Sequence, residues 1–349
     1  MSRPFTRRTL RLESLESREL LTAGGPTAEA QYMLELVNQA RTNPAAMADR
    51  VTSNLDADEL ATLSFYKVDL AAEKAAIAGS APRPAVGWND TLAATAAKQS
   101  QDQADTGVQT HTGADGSSLG QRLDRAGYTN RASDGENAYA YSKSVDHATD
   151  AFLIDWGVSS KGHRNNLLQP TATADQYYRE VGIGVVDSNR ANFGPKVITQ
   201  DFARQAGSKA ELLGVAFYDP SHNHTFALNS GQGNVEIDAQ NESTKVVKST
   251  STWDAGGYQI PLDPGTYKVT AKVNGTVVRT QEVSIGDQNV KVDYDLSDPW
   301  QKTSSSADAS TSVAGKATPP STTNGNSDSV KNPLDSWSSS WTAWTSPTK

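Results

Sequence analysis

The chain has 349 residues, a net charge of −8 and no cysteine. That length holds two ordinary domains with tails, and dispersed basic residues under a net negative charge set nucleic acid aside as a partner. Without thiols there is no cysteine chemistry and no disulfide staple; export stays open, because larger domains need no staples, and no run reaches the length of a membrane helix.

Along the chain, Arg3, Arg7, Arg8 and Arg11 precede Leu12-Glu13-Ser14-Leu15-Glu16-Ser17-Arg18-Glu19-Leu20-Leu21. Nothing there forms the apolar core of a conventional signal peptide. Taken bare, residues 1–25 read as a short amphipathic helix or a disordered leader, outside the fold. In residues 31–41, Met33, Leu36, Val37 and Ala40 follow i, i+3, i+4, i+7 spacing, an amphipathic helix that stops before Pro44. Asp90 is placed to cap a helix over 91–105, with Leu92, Ala93, Ala96, Ala97 and Ala104 as a small-residue face. Val145, Ala148, Phe152 and Trp156 mark another helix within 143–156, with His147 at the boundary of its apolar stripe. Residues 181–186 and 196–202 read as strands. Helices followed by strands, without βαβ alternation, predict an α+β domain.

Gln205-Ala206-Gly207-Ser208 reads as a linker. Beyond it, short strands at 213–219, 233–239, 258–262, 265–271 and 289–294, separated by turn residues, predict a small all-β sandwich. The loop Asp219-Pro220-Ser221-His222-Asn223-His224 offers too few oxygen donors for calcium and too few imidazoles for a softer metal, so it reads as a polar hairpin. Residues 297–349 are Ser/Thr-rich and read as a disordered tail. Trp337, Trp341 and Trp344 give that tail an aromatic spacing suited to a membrane interface or a polysaccharide, with surface attachment as one reading.

The residues with chemistry are His111, Glu136 and His163. His111 and His163 lie in glycine-rich, turn-forming context, and Glu136 follows Asp134-Gly135, which reads as a tight glycine turn. Their separations demand three different elements. Convergence would make a site that holds a divalent metal or moves protons; the other reading is loop histidines bonded to backbone.

Eight fragments in order carry a resemblance. They are Leu34-Glu35-Leu36-Val37-Asn38-Gln39-Ala40-Arg41; Val86-Gly87-Trp88-Asn89-Asp90-Thr91-Leu92-Ala93; His111; Arg122-Leu123-Asp124-Arg125-Ala126-Gly127-Tyr128; Gly135-Glu136-Asn137-Ala138; Gly162-His163-Arg164; Glu180-Val181-Gly182-Ile183-Gly184; and Ile198-Thr199-Gln200-Asp201-Phe202. Residues 29–204 resemble the bacterial branch of the CAP superfamily, the SCP-like or cysteine-rich secretory domains. The resemblance implies a three-layer α-β-α sandwich whose cleft carries His111, His163 and Glu136 and has been associated with divalent metal, commonly zinc. His111 and His163 would be the metal ligands. The family's second glutamate has no counterpart, since Ser159 and Ser160 stand there, and Asp155 and Glu180 both stay open as substitutes. The leader resembles one found on extracellular proteins of planctomycete-type bacteria. Residues 211–296, through Gly256-Gly257-Tyr258, Leu262, Gly265, Tyr267 and Val269, resemble carboxypeptidase-regulatory or bacterial B-type β-sandwich modules. Together these imply an extracellular or cell-surface protein that binds metal, lipid, peptide or a cell-surface ligand. The alternative is a metal-assisted hydrolase of peptide or cell-wall material.

Overall fold

A computed structural model describes residues 24–53 and 55–297. The expected leader, apart from Gly24 and Gly25, and the tail beyond Ser297 with Trp337, Trp341 and Trp344 lie outside the described residues. The chain runs through α1 (Ala28–Thr42), α2 (Pro44–Thr52), α3 (Ala57–Phe65), α4 (Leu70–Ala78), β1 (Gly87–Trp88), α5 (Asp90–Thr106), α6 (Leu119–Arg125), β2 (Arg131–Ser142), α7 (Val145–Ile154), α8 (Gly162–Leu168), β3 (Glu180–Asp187) and β4 (Lys196–Gln205). It continues as β5 (Glu211–Phe217), β6 (Glu236–Asn241), β7 (Val247–Ser251), β8 (Gly257–Pro261), β9 (Gly265–Val273), β10 (Thr276–Ile285), β11 (Val290–Lys291) and β12 (Tyr294–Asp295).

The first sheet has the order β1-β3-β4-β2, parallel between β1 and β3 and antiparallel elsewhere. One face carries α5 and α6, where Leu92, Leu123, Tyr128 and Ala203 pack together. The other face carries α1 and α7, whose Met33, Leu36, Val37, Phe152 and Ile154 join Ile183, Ile198 and Phe202 in the main core. This is the expected α+β fold with an α-β-α sandwich. The small-residue face of α5 has a physical reason. A Cβ on Gly182 would stand 1.9 Å from the Ala93 nitrogen, and one on Gly184 would stand 2.4 Å from the Ala97 nitrogen. The helix backbone therefore rests directly on β3.

Polar residues of α1 are spent on the same packing. Asn38 donates its amide to the Val86 carbonyl at 3.0 Å and accepts the Val86 N–H at 2.8 Å. The buried Arg41 guanidinium donates to the carbonyls of Pro84 and Leu167, both at 2.8 Å, and so ties α1 to α8. Pro44 stands at the first position of α2, which explains why α1 ends where it does. The cap of α5 is displaced by one residue from expectation. Asn89 accepts the N–H groups of Thr91 and Leu92, while Asp90 accepts the indole N–H of Trp88. His147 is a half-buried boundary residue whose imidazole is pushed down to about 4 by burial and then by the Lys143 charge.

The second unit is a sandwich of β10-β9-β6-β7 against β11-β5-β12 with β8 beside β5. Ile237, Val269, Ala271, Leu212, Tyr258 and Ile260 fill the space between the sheets. Two strands were not among the expected ones. β10 is an edge strand with mostly exposed residues, so its apolar signal is thin. The turn before it, Asn274 at φ 50° and Gly275 at φ 76°, is a hairpin pair legible in the sequence. β7 is likewise an edge strand that alternates between exposed and half-buried positions. The strand expected over 289–294 is instead broken between β11 and β12, where the Asp293 carboxylate, in place of a carbonyl, accepts the Val215 N–H.

The turn at residues 205–208 is crossed by many contacts. Val215, Phe217 and Phe226 belong to the main core of the first unit. The Gln259 amide accepts the Trp88 N–H at 2.9 Å and donates to the Trp88 carbonyl at 3.0 Å, extending β1 as a strand would. Asn289 donates to the carbonyls of Ala85 and Arg179. The ammonium of Lys291 lies 2.7 Å from Glu35 on α1 and also pairs with Asp293. Burial lifts the Glu35 carboxyl to about 7, with Lys291 pulling it down and Asp293 pushing it up.

Removing the cation of this pair strands a buried carboxylate. Lys291→Met is expected to cost about 3–5 kcal/mol at neutral pH, read by urea unfolding. A carboxyl held at about 7 in the fold, against an ordinary carboxyl range when unfolded, favours the fold when protonated. That contribution is complete below the ordinary range and lost as pH rises through about 7. The cost of Lys291→Met should therefore shrink on acidification, and Glu35→Gln with Lys291→Met should recover most of it. A pH-independent cost would refute the pairing.

Candidate functional site

The site is built around β2, an edge strand of the first sheet. The tight turn expected at Gly135 is absent: Gly135 and Glu136 lie inside the twelve-residue β2. Glycine is needed because a Cβ there would meet the Tyr178 hydroxyl at 2.4 Å and the Asn166 side chain at 2.9 Å. Glu136 and Asn137 are consecutive in a regularly paired stretch, opposite Asp201 and Gln200, so their side chains point to opposite faces.

On the α5–α6 face, Glu136 meets His111. The loop bearing His111 is held by α5, where Gln99 donates to the Thr110 carbonyl at 2.7 Å and Gln103 accepts the Thr110 N–H at 3.2 Å. The α6 capping box of Ser118 and Gln121 sets the next turn. Arg122, buried, donates from one guanidinium nitrogen to the His111 carbonyl at 3.0 Å and from another to the Glu136 carboxylate. The other Glu136 oxygen is 2.9 Å from Nδ1 of His111. The imidazole is 47% exposed and the carboxylate 3% exposed, so the ring reaches solvent and the carboxylate stands behind it.

On the other face, His163 stands in the first turn of α8. Asp155 caps the end of α7 at φ 57° and turns its carboxylate onto α8. One oxygen accepts the His163 N–H at 3.0 Å and the Arg164 N–H at 3.3 Å, and the other lies 2.8 Å from Nδ1 of His163. The ring packs 5.3 Å from Phe152. The backbone joins the two halves: Asn137 donates to the His163 carbonyl at 3.2 Å, and Asn166 donates to the Glu136 carbonyl at 3.1 Å and to Asn137 at 2.9 Å.

The structure thus brings Glu136 to His111 directly and binds His163 to the same strand through its backbone. Of the two carboxylates left open by sequence, Asp155 is the one on an imidazole. Glu180 is occupied by Asn89 at 2.8 Å and by the Tyr128 hydroxyl. Arg122 and Asp201 are neighbours of Glu136 that sequence reasoning left unassigned, although both lie in the ordered motif fragments. Among the described residues no group of three or more His, Cys, Asp or Glu side chains is disposed to hold a metal ion. Glu136 is engaged by an imidazole and a guanidinium, and Asp155 by an imidazole and two backbone N–H groups, so neither carboxylate is free to ligate a metal. In the loop after β5, Asp219 accepts the N–H groups of Ser221 and His224, and His224 pairs with Asp295 at 2.9 Å, so the polar turn is self-satisfied.

Residues 34–202 match the CAP family, described as the cysteine-rich secretory protein family. No curated protein matches the chain. Among solved structures, similarity is found to an extracellular protein containing an SCP domain from Bacillus anthracis, at 24% identity over 44% of this chain and 45% of that one, with a TM-score of 0.28. An outer surface protein from Borrelia burgdorferi shows 14% identity over 43% of this chain and 96% of that one, TM-score 0.28. A DUF3823 family protein from Bacteroides ovatus shows 18% identity over 25% and 44%, TM-score 0.19. The chain covers less than half of the first of these.

If Asp155 orients His163, Asp155→Asn keeps the shape but removes the charge on three hydrogen bonds. A loss of about 1.5–3 kcal/mol is expected, with a change in the His163 tautomer seen by nitrogen NMR. Glu180→Gln should leave that tautomer as it is. The opposite pattern would transfer the role to Glu180.

Proposed function

We propose that this chain works outside the cell as a CAP-domain binding protein, with His111, Glu136 and His163 at the binding cleft and Asp155 as the fourth member. The ligand is a divalent metal, zinc foremost, or a small ligand, lipid or peptide held at the same place. The observation that carries this reading is the pairing of each imidazole Nδ1 with a buried carboxylate. Such pairing fixes ring orientation and leaves Nε2 for a ligand.

His111 and His163 would hold the metal through Nε2, with Glu136 and Asp155 behind them, and bound zinc would act there as a Lewis acid. Two imidazoles form a sparse donor set that water would complete. The protein groups have separate tasks: Arg122 holds the Glu136 carboxylate and the His111 loop together, and Asp155 holds the α8 turn that presents His163. The leader-like residues 1–25 and the CAP match over 34–202 support an extracellular setting. Among the described residues no helix is long and apolar enough to cross a membrane. The β-module, packed on the first unit, would serve as a fixed spacer or adhesion unit, and the Trp-bearing tail would attach to a surface.

Calorimetric titration with zinc should give micromolar or tighter binding, weakened at least tenfold in His163→Ala, which is about 1.4 kcal/mol. Equal binding by wild type and the His111→Ala, His163→Ala double variant would end the metal reading. Turnover of peptides, esters or glycans that a chelator abolishes would replace binding with metal-assisted hydrolysis.

A further inference from the structure

Behind Glu136 lies a second carboxyl that the binding reading does not use. Asp201 on β4 is the direct cross-strand partner of Glu136, and its partner on the other side is Gly182, which has no side chain. Opposed residues on paired strands bring their Cβ atoms to about 4.5–5.5 Å. Asp201 is fully buried, and neither of its carboxyl oxygens is met by a donor. A buried carboxylate without donors is among the costliest groups a fold can hold, whereas a carboxylic acid is its own donor.

The charges facing this pair decide which member keeps a proton. From α6, Arg122 places its guanidinium on Glu136. From the loop before α6, His111 places Nδ1 on the same carboxylate. From β2, Asp134 adds a negative charge, itself paired with Arg131. From β3, Gly182 stands opposite with no side chain, and Glu180 on the same face is taken up by Asn89 and the Tyr128 hydroxyl. Glu136 therefore has the cation and the donors, and Asp201 has burial and two carboxylate neighbours. Like charges so placed do not both ionise. Burial first, then the Glu136 charge, hold the Asp201 carboxyl well above the usual range, against a smaller downward pull from Arg122.

We propose that Asp201 is a positioning residue that stays protonated at neutral pH and donates its O–H to Glu136, so that Glu136 accepts Nδ1–H of His111 and leaves His111 Nε2 bare toward solvent. The chain of donors runs Asp201 to Glu136 and His111 to Glu136, with Arg122 closing the carboxylate from its other side. Each of the three donors meets one acceptor, and the half-exposed ring is presented as a lone-pair donor for a divalent cation or an acidic proton. This rests on the reading of His111 as the ligand-facing imidazole.

Infrared spectroscopy of the full chain at neutral pH reads the proton directly. A protonated-carboxyl C=O band is expected, shifted by labelling aspartate at its side-chain carboxyl carbon with carbon-13 and missing in Asp201→Asn. The label assigns the band to aspartate even where a variant does not fold. Asp201→Asn keeps an N–H donor for Glu136, so it should hold the His111 tautomer seen by nitrogen NMR and zinc affinity within about twofold. Asp201→Leu removes the donor, and loss of the Nδ1–H tautomer with at least tenfold weaker zinc binding is expected. Absence of an aspartate-derived band, or an unchanged His111 tautomer in Asp201→Leu, overturns the proposal. Absence of zinc binding in wild type would instead overturn the metal reading, while the band and the tautomer still decide the role of Asp201.

Discussion

The distance between α5 and the sheet is the constraint from which the site follows. Gly182 and Gly184 leave the β3 surface bare, so the α5 backbone settles onto it with no side chain between. Any Cβ at either position would lift the helix. At this distance Ser100 reaches the Thr199 hydroxyl at 2.9 Å and the Gly184 carbonyl at 3.2 Å. One turn away, Gln99 and Gln103 reach the backbone of Thr110 and fix the loop that carries His111. Helix-to-sheet packing is thus converted into the position of an imidazole.

The edge position of β2 explains how two imidazoles reach one strand from different layers. A central strand is covered on both faces by the sandwich, whereas an edge strand can be approached by a loop on one face and a short helix on the other. Glu136 and Asn137 use the strand's alternation to address them separately. The carboxylate takes a side chain, His111; the amide takes a backbone carbonyl, that of His163. Charge is handled the same way on both sides. Glu136 faces Arg122, and Asp155 faces the N–H groups that open α8, so each carboxylate is compensated before it meets its imidazole.

The β-module is part of the same packing. Its Val215 and Phe217 sit in the core of the first unit, Gln259 completes the backbone pairing of Trp88, and Lys291 reaches Glu35 on α1. Trp88 and Asn89 lead directly into α5, so the module touches the segment that begins the site-bearing helix. Within α1, Glu35, Asn38 and Arg41 face inward because each has a specific partner there, which is how a helix retains so many buried polar groups.

The sequence by itself determined the α+β class, the helices over α1, α5 and α7, and the strands β3 and β4, and it singled out His111, Glu136 and His163 as the candidate site. Those features are local: apolar periodicity, proline and cap signals, and ordered motif fragments survive without knowledge of distant contacts. The edge strands β7 and β10 were hidden because an exposed strand carries little apolar alternation, and the Asn274-Gly275 turn was the local trace of β10. Gly135 looked like a turn because glycine is read first as conformational freedom, while here it serves space beneath Tyr178 and Asn166. Only the tertiary structure decided that Asp155 and not Glu180 holds His163, that Arg122 and Asp201 flank Glu136, and that the β-module shares the core. Each depends on which side chains meet across elements far apart in the chain, and residue spacing carries no record of those encounters.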